Sequence, residues 1–494
     1  MKRNIVVILC DQLRRDFLPV FGCNAIKTPN IDELANSGVV FSNAITQSPV
    51  CAPARATMMT GRYVSDHGVW TNDVPFREGM DMLPLRMKAQ GYRTGAFGKL
   101  HHFPADDSKG FDRADMFEEN RNKKQEGYYA WLKKKHPEVT SMWGGKNENG
   151  WFKYPVDDYY ERWIADNAID FIRDAINKNN GPFFSWVSFQ GPHTPLDPPE
   201  ETRDLLDEKN IPPPVDEKFL PAEPVIRYRQ IFYSEEEENH AMIHRKSYLR
   251  MIANIDNEIG RIMKTLKDIN VYENTTFIFS ADHGDLCGDY SMYYKGPFPY
   301  KAQLEIPMIL SNHPALDKNT ASDMLTGNID IGATVLEIAG DKTMFGQSRS
   351  MLSMLAGTTP ERDVIYSEFC DSMKIAMDKK LRLAYYPFSR DTLLISPDDE
   401  TKNFAGDPAY GDDLLRLMKH IIDFMVIAKG ARIEAADLVP EVQAGLEAKD
   451  PHYRKTIPMK FPLNETKMKK LREKGFNADY NNFFFERENE SGKP

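Results

Sequence analysis

Three short apolar runs along the chain lead into polar side chains that are able to bind a ligand. The runs are NIVVILCDQ at 4–12, FFSWVSF at 183–189 and TTFIFSADHG at 275–284. Nearly continuous apolar runs of this length are typical of strands that are buried on both faces of a parallel sheet. Because ligands gather beyond the carboxyl ends of the strands in open α/β sheets, we expect Asp11, His193, Asp282 and His283 to meet in one crevice.

Helical periodicity alternates with these strands. Residues 28–38 carry a candidate cap, Thr28, and a stop signal, Gly38. Residues 159–181 and 246–269 place apolar side chains three and four positions apart, as on one face of a helix. The alternation predicts an α/β fold in which helices flank a large mixed, mainly parallel sheet.

The pattern changes after residues 327–340, which we predict to form the last helix of the main unit. Short strand-like runs separated by turns follow, and they are DVIYSEF at 363–369, LRLAYYPF at 381–388 and DTLLISPDD at 391–399. Their pattern predicts a smaller C-terminal α+β subdomain with an antiparallel sheet. We therefore divide the chain into a main domain at 1–358 and a C-terminal subdomain with a terminal extension at 359–494.

Two long segments, 104–158 and 194–240, are rich in proline, charge and aromatic side chains. We expect them to be surface insertions that shape the mouth of the site. Several arginines and tryptophans are candidates for recognising a carboxylate and a sugar face, and each also fits a solvated arginine or a packed aromatic. The candidates are Arg14, Arg15, Arg227, Arg229, Trp70, Trp143 and Trp151.

The composition argues against several classes of protein. A formal net charge of −10 disfavours a general nucleic-acid binder. The 5 cysteines are spread over 494 residues, unlike those of a disulfide scaffold. The first apolar run is too short for a signal peptide, and no stretch reaches the length of a membrane span. From the chain as given we expect a cytoplasmic protein with no membrane partner, and the alternative is a periplasmic protein whose leader was removed.

The segment SPVCAPARATMMTGRY at 48–63 places Cys51 at the mouth of a predicted helix, beside Arg55. A lone buried cysteine is more often a small hydrophobe than a nucleophile. An aspartate at a strand end, such as Asp11, is more often a turn former or a helix cap than a metal ligand. Cys51 and Asp11 occur together with further motifs, however, and this combination favours a catalytic role for them over these structural ones.

The CAPAR and TGRY elements resemble the signature of the formylglycine-dependent sulfatases, Cys-x-Pro-x-Arg followed by Thr-Gly-Arg. The resemblance covers about residues 4–410 and implies an alkaline-phosphatase-like fold and a sulfuric ester hydrolase. The further motifs in the family's order are DQ at 11–12, GKLHHF at 98–103, GPHTPLDPP at 191–199, SADHGD at 280–285, Lys295 and DETKNFAGDP at 399–408.

The resemblance implies a divalent cation, usually Ca²⁺, held by Asp11, Gln12, Asp282 and His283 together with the modified Cys51. Carboxylate and amide oxygens suit a hard cation. Nitrogen is a poor partner for Ca²⁺, so His283 either contacts the surroundings of the metal or serves as an acid beside the sulfate.

In this family the cysteine is oxidised by a maturation enzyme to formylglycine, whose hydrate is the nucleophile. For Cys51, the resemblance implies that Arg55 braces the modified side chain and that Lys99 and Lys295 stabilise charge on the sulfuryl oxygens. A helix N-terminus at Cys51 would add its own positive end.

Two proton transfers complete the implied reaction. His193 and Lys295 match the groups that protonate the leaving alcohol, and His101 matches the base that drives elimination of sulfate. His102 has no counterpart in the motif and is expected to be a loop residue.

The sequence departs from the commonest family pattern at Gln12, where many members have Asp, and at His283, where many have Asn. The same Asp-Gln and Asp-His pairs occur in bacterial glycosaminoglycan uronate-2-O-sulfatases and in phosphonate monoester hydrolases. Lys99 and His101 favour the sulfatases, because the phosphonate hydrolases carry hydroxyl side chains there.

We therefore expect a sulfatase that acts on a small sulfated saccharide, such as a 2-O-sulfated uronic acid. One alternative is a phosphonate monoester or phosphodiester hydrolase on the same scaffold. Another is a non-catalytic binder of sulfated glycans, which requires an unmodified or absent nucleophile.

Overall fold

The computed structural model describes residues 2–438 except 119–126, 142, 144, 147–149, 179–180, 217–237, 371 and 388–389. Arg227 and Arg229, two candidates for substrate recognition, lie outside the described residues. Within the described part of the chain, no helix combines the length and the apolar character that crossing a membrane requires.

A mixed, mainly parallel sheet organises the main body of the molecule. In the described residues it has 8 strands in the order β4-β3-β5-β1-β6-β7-β2-β8. The strands are β1 (Asn4–Asp11), β2 (Gly38–Ile45), β3 (Arg93–Gly98), β4 (Arg113–Met116), β5 (Phe183–Pro192), β6 (Thr275–Ala281), β7 (Met308–Ser311) and β8 (Thr320–Gly327). Within the described part of this 8-stranded sheet, β7 is the one strand that pairs antiparallel with its neighbours, so the predicted fold class is confirmed.

The three predicted apolar strands form the centre of this sheet. β1 lies between β5 and β6 and pairs parallel with both, with Ile8 opposite Val187 and Phe279. Every residue of these three strands is buried, which explains their nearly continuous apolar sequences. Because the three strands are parallel, their carboxyl ends lie at the same edge of the sheet.

Helices cover the sheet, and the three predicted helices are present with shifted ends. The helices are α1 (Pro29–Asn36), α2 (Cys51–Thr60), α3 (Val64–His67), α4 (Leu83–Ala89), α5 (Tyr128–Lys135), α6 (Tyr160–Asn177), α7 (Glu238–Asp268), α8 (Lys301–Leu304), α9 (Ile329–Ala339), α10 (Met351–Leu355) and α11 (Gly411–Leu438). α7 begins eight positions before the predicted 246, and α9 confirms the helix predicted within 327–340.

The structure corrects three expectations about the main body. The first predicted helix ends at Asn36 with Ser37 as its C-cap, and Gly38 opens β2 instead of ending the helix. The segment 104–158 is more than a surface insertion, because it contributes β4 to the edge of the sheet and packs Phe117 and Tyr128 into the core. The helix predicted at 327–340 is followed by one further short helix, α10.

The predicted antiparallel sheet is present in the C-terminal part of the chain. Its strands are β9 (Ile365–Phe369), β10 (Met373–Met377), β11 (Arg382–Tyr386) and β12 (Asp391–Ile395), in the order β12-β11-β10-β9. All three pairings are antiparallel. β10 was not predicted, and the division into domains at 358 and 359 stays a prediction.

This second sheet supports the loop before α8. The Tyr386 hydroxyl donates to the Pro297 carbonyl at 3.0 Å, and Arg382 Nη1 donates to the Pro299 carbonyl at 2.5 Å. The same guanidinium pairs with Glu400 at 2.6 Å, inside the protein. These contacts fix the segment that carries Lys295, the predicted catalytic lysine.

Candidate active site

Three strands of the main sheet deliver polar side chains to one buried cluster. Asp11 is the last residue of β1, Asp282 and His283 follow β6, and Lys99 follows β3. All four side chains are buried, with residue exposures of 0%. Asp11, Asp282 and His283 therefore meet at the carboxyl edge of the sheet, as the apolar runs predicted.

Cys51 is the first residue of α2, a helix whose ten residues are all buried. The N-terminus of this helix adds a partial positive charge beside Cys51. The helix ends at Gly61, which adopts a φ of 64° and donates its N–H to the Thr57 carbonyl at 2.8 Å. A Cβ at Gly61 would lie 2.4 Å from the Phe345 carbonyl oxygen, so glycine is required at this end.

The sulfur of Cys51 lies at the centre of the cluster. It lies 2.8 Å from Lys295 Nζ, 3.2 Å from His283 Nε2 and 3.6 Å from Asp11 Oδ1. Cys51, the position of the predicted nucleophile, therefore lies next to two predicted cation ligands, Asp11 and His283, and next to the predicted catalytic Lys295.

Arg55 binds the two carboxylates of the cluster. Its Nε donates to Asp282 Oδ2 at 2.8 Å and its Nη2 donates to Asp11 Oδ2 at 3.2 Å. Its Nη1 donates to Ser188 Oγ at 2.7 Å and to the Lys99 carbonyl. Burial alone would lower the pKa of Arg55, but the two carboxylates outweigh it and raise the pKa. Arg55 therefore stays charged and fixes the orientation of both predicted ligands.

Asp11 is held ionised by neighbouring cations. Burial would raise its pKa, but Lys99, His193 and Arg55 lower the pKa well below its usual range. Lys99 is the nearest of these, with Nζ 2.6 Å from Asp11 Oδ2. A fully buried carboxylate that keeps its charge is suited to binding a cation.

Gln12 follows Asp11 in a left-handed backbone conformation, with a φ of 66°. Its N–H donates to Asp282 Oδ1 at 2.9 Å. Its side-chain oxygen accepts from Lys295 Nζ at 2.8 Å, and its Nε2 donates to Asp285 Oδ2. The amide is thus fixed at both ends.

His283 presents one ring nitrogen to the cluster. Its Nδ1 lies 2.8 Å from the Gly284 carbonyl, which only accepts, so Nδ1 carries the proton and Nε2 keeps a lone pair. Nε2 lies 3.8 Å from Asp282 Oδ1. Burial lowers the pKa of His283 to about 4, and Lys295 lowers it further while Asp282 opposes the shift. A neutral ring with this lone pair suits a metal ligand or an acceptor better than an acid.

The donor set fits a divalent cation. Ligand atoms of Asp11, Cys51, Asp282 and His283 all lie within 4.8 Å of one another. Two buried carboxylates, with the Gln12 oxygen nearby, provide the hard oxygen donors that Ca²⁺ prefers.

The other two predicted catalytic histidines follow the neighbouring strands β3 and β5. His101 follows β3, is buried, and has a φ of 58°. Its N–H donates to Glu118 Oε1 at 2.8 Å, which fixes the loop. His193 follows β5, is half-buried, and lies close enough to lower the pKa of Asp11. His102 packs its ring edge against Phe76, at 4.9 Å between centroids, as a buried loop residue.

Sequence reasoning missed several residues that position the site. Asn72 Oδ1 accepts from the Ala52 N–H at 3.2 Å, next to Cys51, and Asn328 Nδ2 donates to the Asp282 carbonyl at 2.7 Å. No local pattern identifies them, because each contact joins distant parts of the chain. The other missed residues are Ser188, Glu118 and Asp285.

Four of the candidates for substrate recognition contact other side chains of the protein. Arg14 pairs with a buried aspartate at 2.7 Å and Arg15 with a glutamate at 2.5 Å. Trp143 packs against Phe117, at 5.3 Å between ring centroids. Trp151 is buried and lies 4.9 Å from two arginine guanidinium groups.

The chain matches a family of known sequence and activity. The sequence profile described as Sulfatase matches residues 3–341, which is more than half of the chain. An arylsulfatase of Clostridium perfringens (strain 13 / Type A) is 30% identical over 380 residues, which cover 69% of this chain and 75% of that protein.

Solved structures share the fold. A phosphonate monoester hydrolase from Silicibacter pomeroyi has a TM-score of 0.74 and 21% identity, and the match covers 86% of this chain and 96% of that one. BT1596, a 2-O GAG sulfatase, has a TM-score of 0.66 and 21% identity, with 87% of this chain and 93% of that one covered.

Proposed function

The chain belongs to the sulfatase family and is a sulfuric ester hydrolase, and we propose that it removes sulfate from a carbohydrate by means of a formylglycine made from Cys51. The observation that carries this proposal is the position of Cys51 Sγ, 2.8 Å from Lys295 Nζ at the N-terminus of a buried helix. A maturation enzyme and an external oxidant would convert the thiol to the aldehyde before turnover.

The first chemical step is attack on sulfur. Water adds to the aldehyde at residue 51, one hydroxyl of the resulting hydrate releases its proton to water, and its oxygen attacks the sulfur of the ester. The bond from sulfur to the alcohol oxygen breaks, and its electron pair leaves with that oxygen. Lys99 and Lys295 supply fixed positive charge for the sulfuryl oxygens, which costs no reorganisation during the reaction.

Asp11, Gln12, Asp282 and His283 would hold the divalent cation, most simply Ca²⁺. When bound, the cation would supply positive charge that favours ionisation of the hydrate and binding of the anionic ester. Arg55 keeps the two ligand carboxylates in place through its bonds to each.

Two proton transfers complete the cycle. His193, assisted by Lys295, donates a proton to the leaving alcohol oxygen. His101 then removes the proton from the remaining hydroxyl at residue 51. The bond from carbon to the sulfated oxygen breaks, inorganic sulfate leaves, and the aldehyde is restored.

We propose a sulfated saccharide as the substrate, with a 2-O-sulfated uronic acid as the first compound to test. Support comes from the Asp-Gln and Asp-His pairs at 11–12 and 282–283 and from the shared fold with a 2-O GAG sulfatase. Arg14 is buried in an ion pair with Asp289 and Arg15 forms a partly exposed ion pair with Glu305, so we expect other loop residues to contribute to specificity.

A second candidate function is hydrolysis of a phosphonate monoester, because a phosphonate monoester hydrolase shares the fold with a TM-score of 0.74. Lys99 and His101 argue against this function, because the phosphonate hydrolases carry hydroxyl side chains at these two positions. Lys99 is committed to Asp11 at 2.6 Å, where it adds positive charge beside the predicted cation.

Turnover on matched aryl sulfate, phosphate diester and phosphonate monoester substrates tests the proposal, followed by assays on defined sulfated oligosaccharides. We expect sulfate release to dominate, and dominant phosphonate cleavage would contradict the proposal. Binding of sulfated glycan without turnover of any ester, by a protein with an unmodified thiol at Cys51, would instead support a non-catalytic binder.

A further inference from the structure

The side-chain amide of Gln12 is bonded at both ends by charged groups. We propose that Asp285 is a positioning residue that turns the Gln12 oxygen toward the cation and its nitrogen away. This inference rests on the proposed function, because it takes the cluster at Asp11, Asp282 and His283 as the cation site.

The orientation of this amide matters because its two ends have the same shape and opposite chemistry. The oxygen accepts and can bind a cation, whereas the NH₂ group only donates and would repel one. A carboxylate at position 12 would need no such control, since both of its oxygens can bind the cation. A chain with Gln12 therefore needs a second group that fixes the amide.

Asp285 has the properties of that group. Its Oδ2 accepts from Gln12 Nε2, and its Oδ1 accepts from the N–H groups of Cys287 at 2.6 Å and Tyr294 at 3.0 Å. The two backbone N–H groups hold the carboxyl group of Asp285 with Oδ2 facing Gln12 as an acceptor, so Asp285 selects the nitrogen end of the amide.

Lys295, on the other side of the Gln12 amide, favours the same orientation. Lys295 Nζ only donates, and it lies 2.8 Å from the Gln12 oxygen. The Gln12 N–H is bonded to Asp282 Oδ1 at 2.9 Å, which limits movement of the backbone. A flipped amide would place NH₂ against an ammonium and an oxygen against a carboxylate, so two attractive contacts would become repulsive.

If Asp285 were instead a ligand of a second cation, substitutions at and near it would change the number of bound cations. Donor atoms of His244, Asp285 and Cys287 also lie within 4.8 Å of one another, so Asp285 is a candidate ligand of a separate cation. In that case Cys287→Ser and Asp285→Asn would each lower the number of bound cations. For a positioning residue, Cys287→Ser leaves both the number of bound cations and the affinity unchanged.

The test measures Ca²⁺ binding by calorimetry on the full chain after removal of cations with a chelator. The proteins are wild type, Asp285→Asn, Gln12→Glu, the double variant of these two, and Cys287→Ser. Asp256→Asn is the matched control, because Asp256 is a buried carboxylate that accepts backbone N–H bonds at the start of α1. Thermal unfolding of each protein reports whether the fold is kept.

We expect Asp285→Asn to weaken Ca²⁺ binding about 10- to 100-fold in the Gln12 protein. With Gln12→Glu the same change should tighten binding, because it removes a repulsive contact between two carboxylates. The control should bind as wild type does. Asp285→Asn should therefore have opposite effects on Ca²⁺ affinity in the Gln12 protein and in the Gln12→Glu protein. General damage to the site would weaken binding in both proteins, whereas loss of amide orientation would weaken it only with Gln12.

Three results would overturn the inference. They are unchanged affinity in Asp285→Asn, equal weakening in both backgrounds, and loss of a separate cation in both Asp285→Asn and Cys287→Ser. Absence of Ca²⁺ binding to wild type would contradict the proposed cation site itself and the inference with it, whereas the first three results leave that site standing.

Discussion

Lys295 Nζ lies 2.8 Å from the sulfur of Cys51, so a charged amine from one part of the chain directly contacts the first residue of a helix from another. The segment that carries this lysine is fixed by the second sheet, through the bond from Arg382 to the Pro299 carbonyl. The C-terminal strands therefore contribute to the site although none of the predicted ligands lies on them.

His193→Ala should reduce turnover in a way that depends on the leaving alcohol. If His193 protonates that oxygen, the loss on an alkyl sulfate should be about 10²- to 10⁴-fold, because an alkoxide is a poor leaving group. An aryl sulfate that releases a stable phenolate should lose much less. The measurement is kcat/KM on a series of sulfates of increasing alcohol pKa. His420→Ala is the control, because His420 lies on α11 and contacts the Tyr366 hydroxyl at 3.3 Å. A uniform loss across the series would show that His193 does not act as the acid.

Arg55→Met should destabilise the protein strongly in the absence of a cation. The change leaves Asp11 and Asp282 buried without their shared partner, which costs about 3–5 kcal/mol of unfolding free energy. Ca²⁺ should restore part of this loss by neutralising the same carboxylates. Arg62→Met, at a partly exposed pair with Asp66, should cost no more than about 1 kcal/mol.

Urea unfolding with chelator and with Ca²⁺ checks the Arg55 prediction. Equal losses of unfolding free energy for Arg55→Met and Arg62→Met would contradict it, and so would a loss for Arg55→Met that Ca²⁺ does not change.

Glu161 should make stability fall as pH rises. It is buried in α6, accepts the Gly191 N–H at 2.5 Å, and burial raises its pKa from 4.5 to about 8. Between these values the folded state holds a proton that the unfolded state has released, so the free energy of unfolding decreases as pH increases. Glu161→Gln removes this dependence.

Urea unfolding at about pH 5 and about pH 9 measures the effect of Glu161. The stability of wild type relative to Glu161→Gln should be lower at the higher pH by at least about 1 kcal/mol. Glu200→Gln, at an exposed carboxylate, should show no such trend. A pH-independent difference between wild type and Glu161→Gln would refute the prediction.

Cys51→Ala should abolish turnover and leave the fold intact, because the side chain is small and alanine favours the helix that it begins. The cation affinity should fall only modestly, since Asp11 and Asp282 remain. Activity assays, thermal unfolding and Ca²⁺ calorimetry on the same preparation check these outcomes. Residual turnover at the wild-type rate would exclude position 51 as the nucleophile.

The sequence allowed the central strands to be predicted because β1, β5 and β6 are buried on both faces and therefore almost wholly apolar. The outer strands β2 and β8 were not predicted, because they are not buried on both faces along their whole length and are not uniformly apolar. β2 contains Ser42 and Asn43 at half-buried positions, and β8 begins with exposed polar residues. Their pairing depends on neighbours in the sheet, which a local pattern does not contain.

The candidate site also contains some residues that the sequence identifies and others that it does not. Cys51, Asp11 and Asp282 belong to motifs, and the fold brings them together as predicted. Asp285 binds Gln12 across 273 positions of the chain, and Glu118 accepts from a loop 17 positions away. Contacts of this kind depend on the folded arrangement of the chain, so spacing along the sequence does not identify them.

The most direct test of the account is the mass of the tryptic peptide that ends at Arg55, taken from active protein made in its native host. Formation of the proposed nucleophile requires the mass of an aldehyde at residue 51 in place of the Cys51 thiol. The aldehyde should be present in a fraction that follows specific activity across preparations. A fully active preparation in which residue 51 remains a thiol would contradict the account.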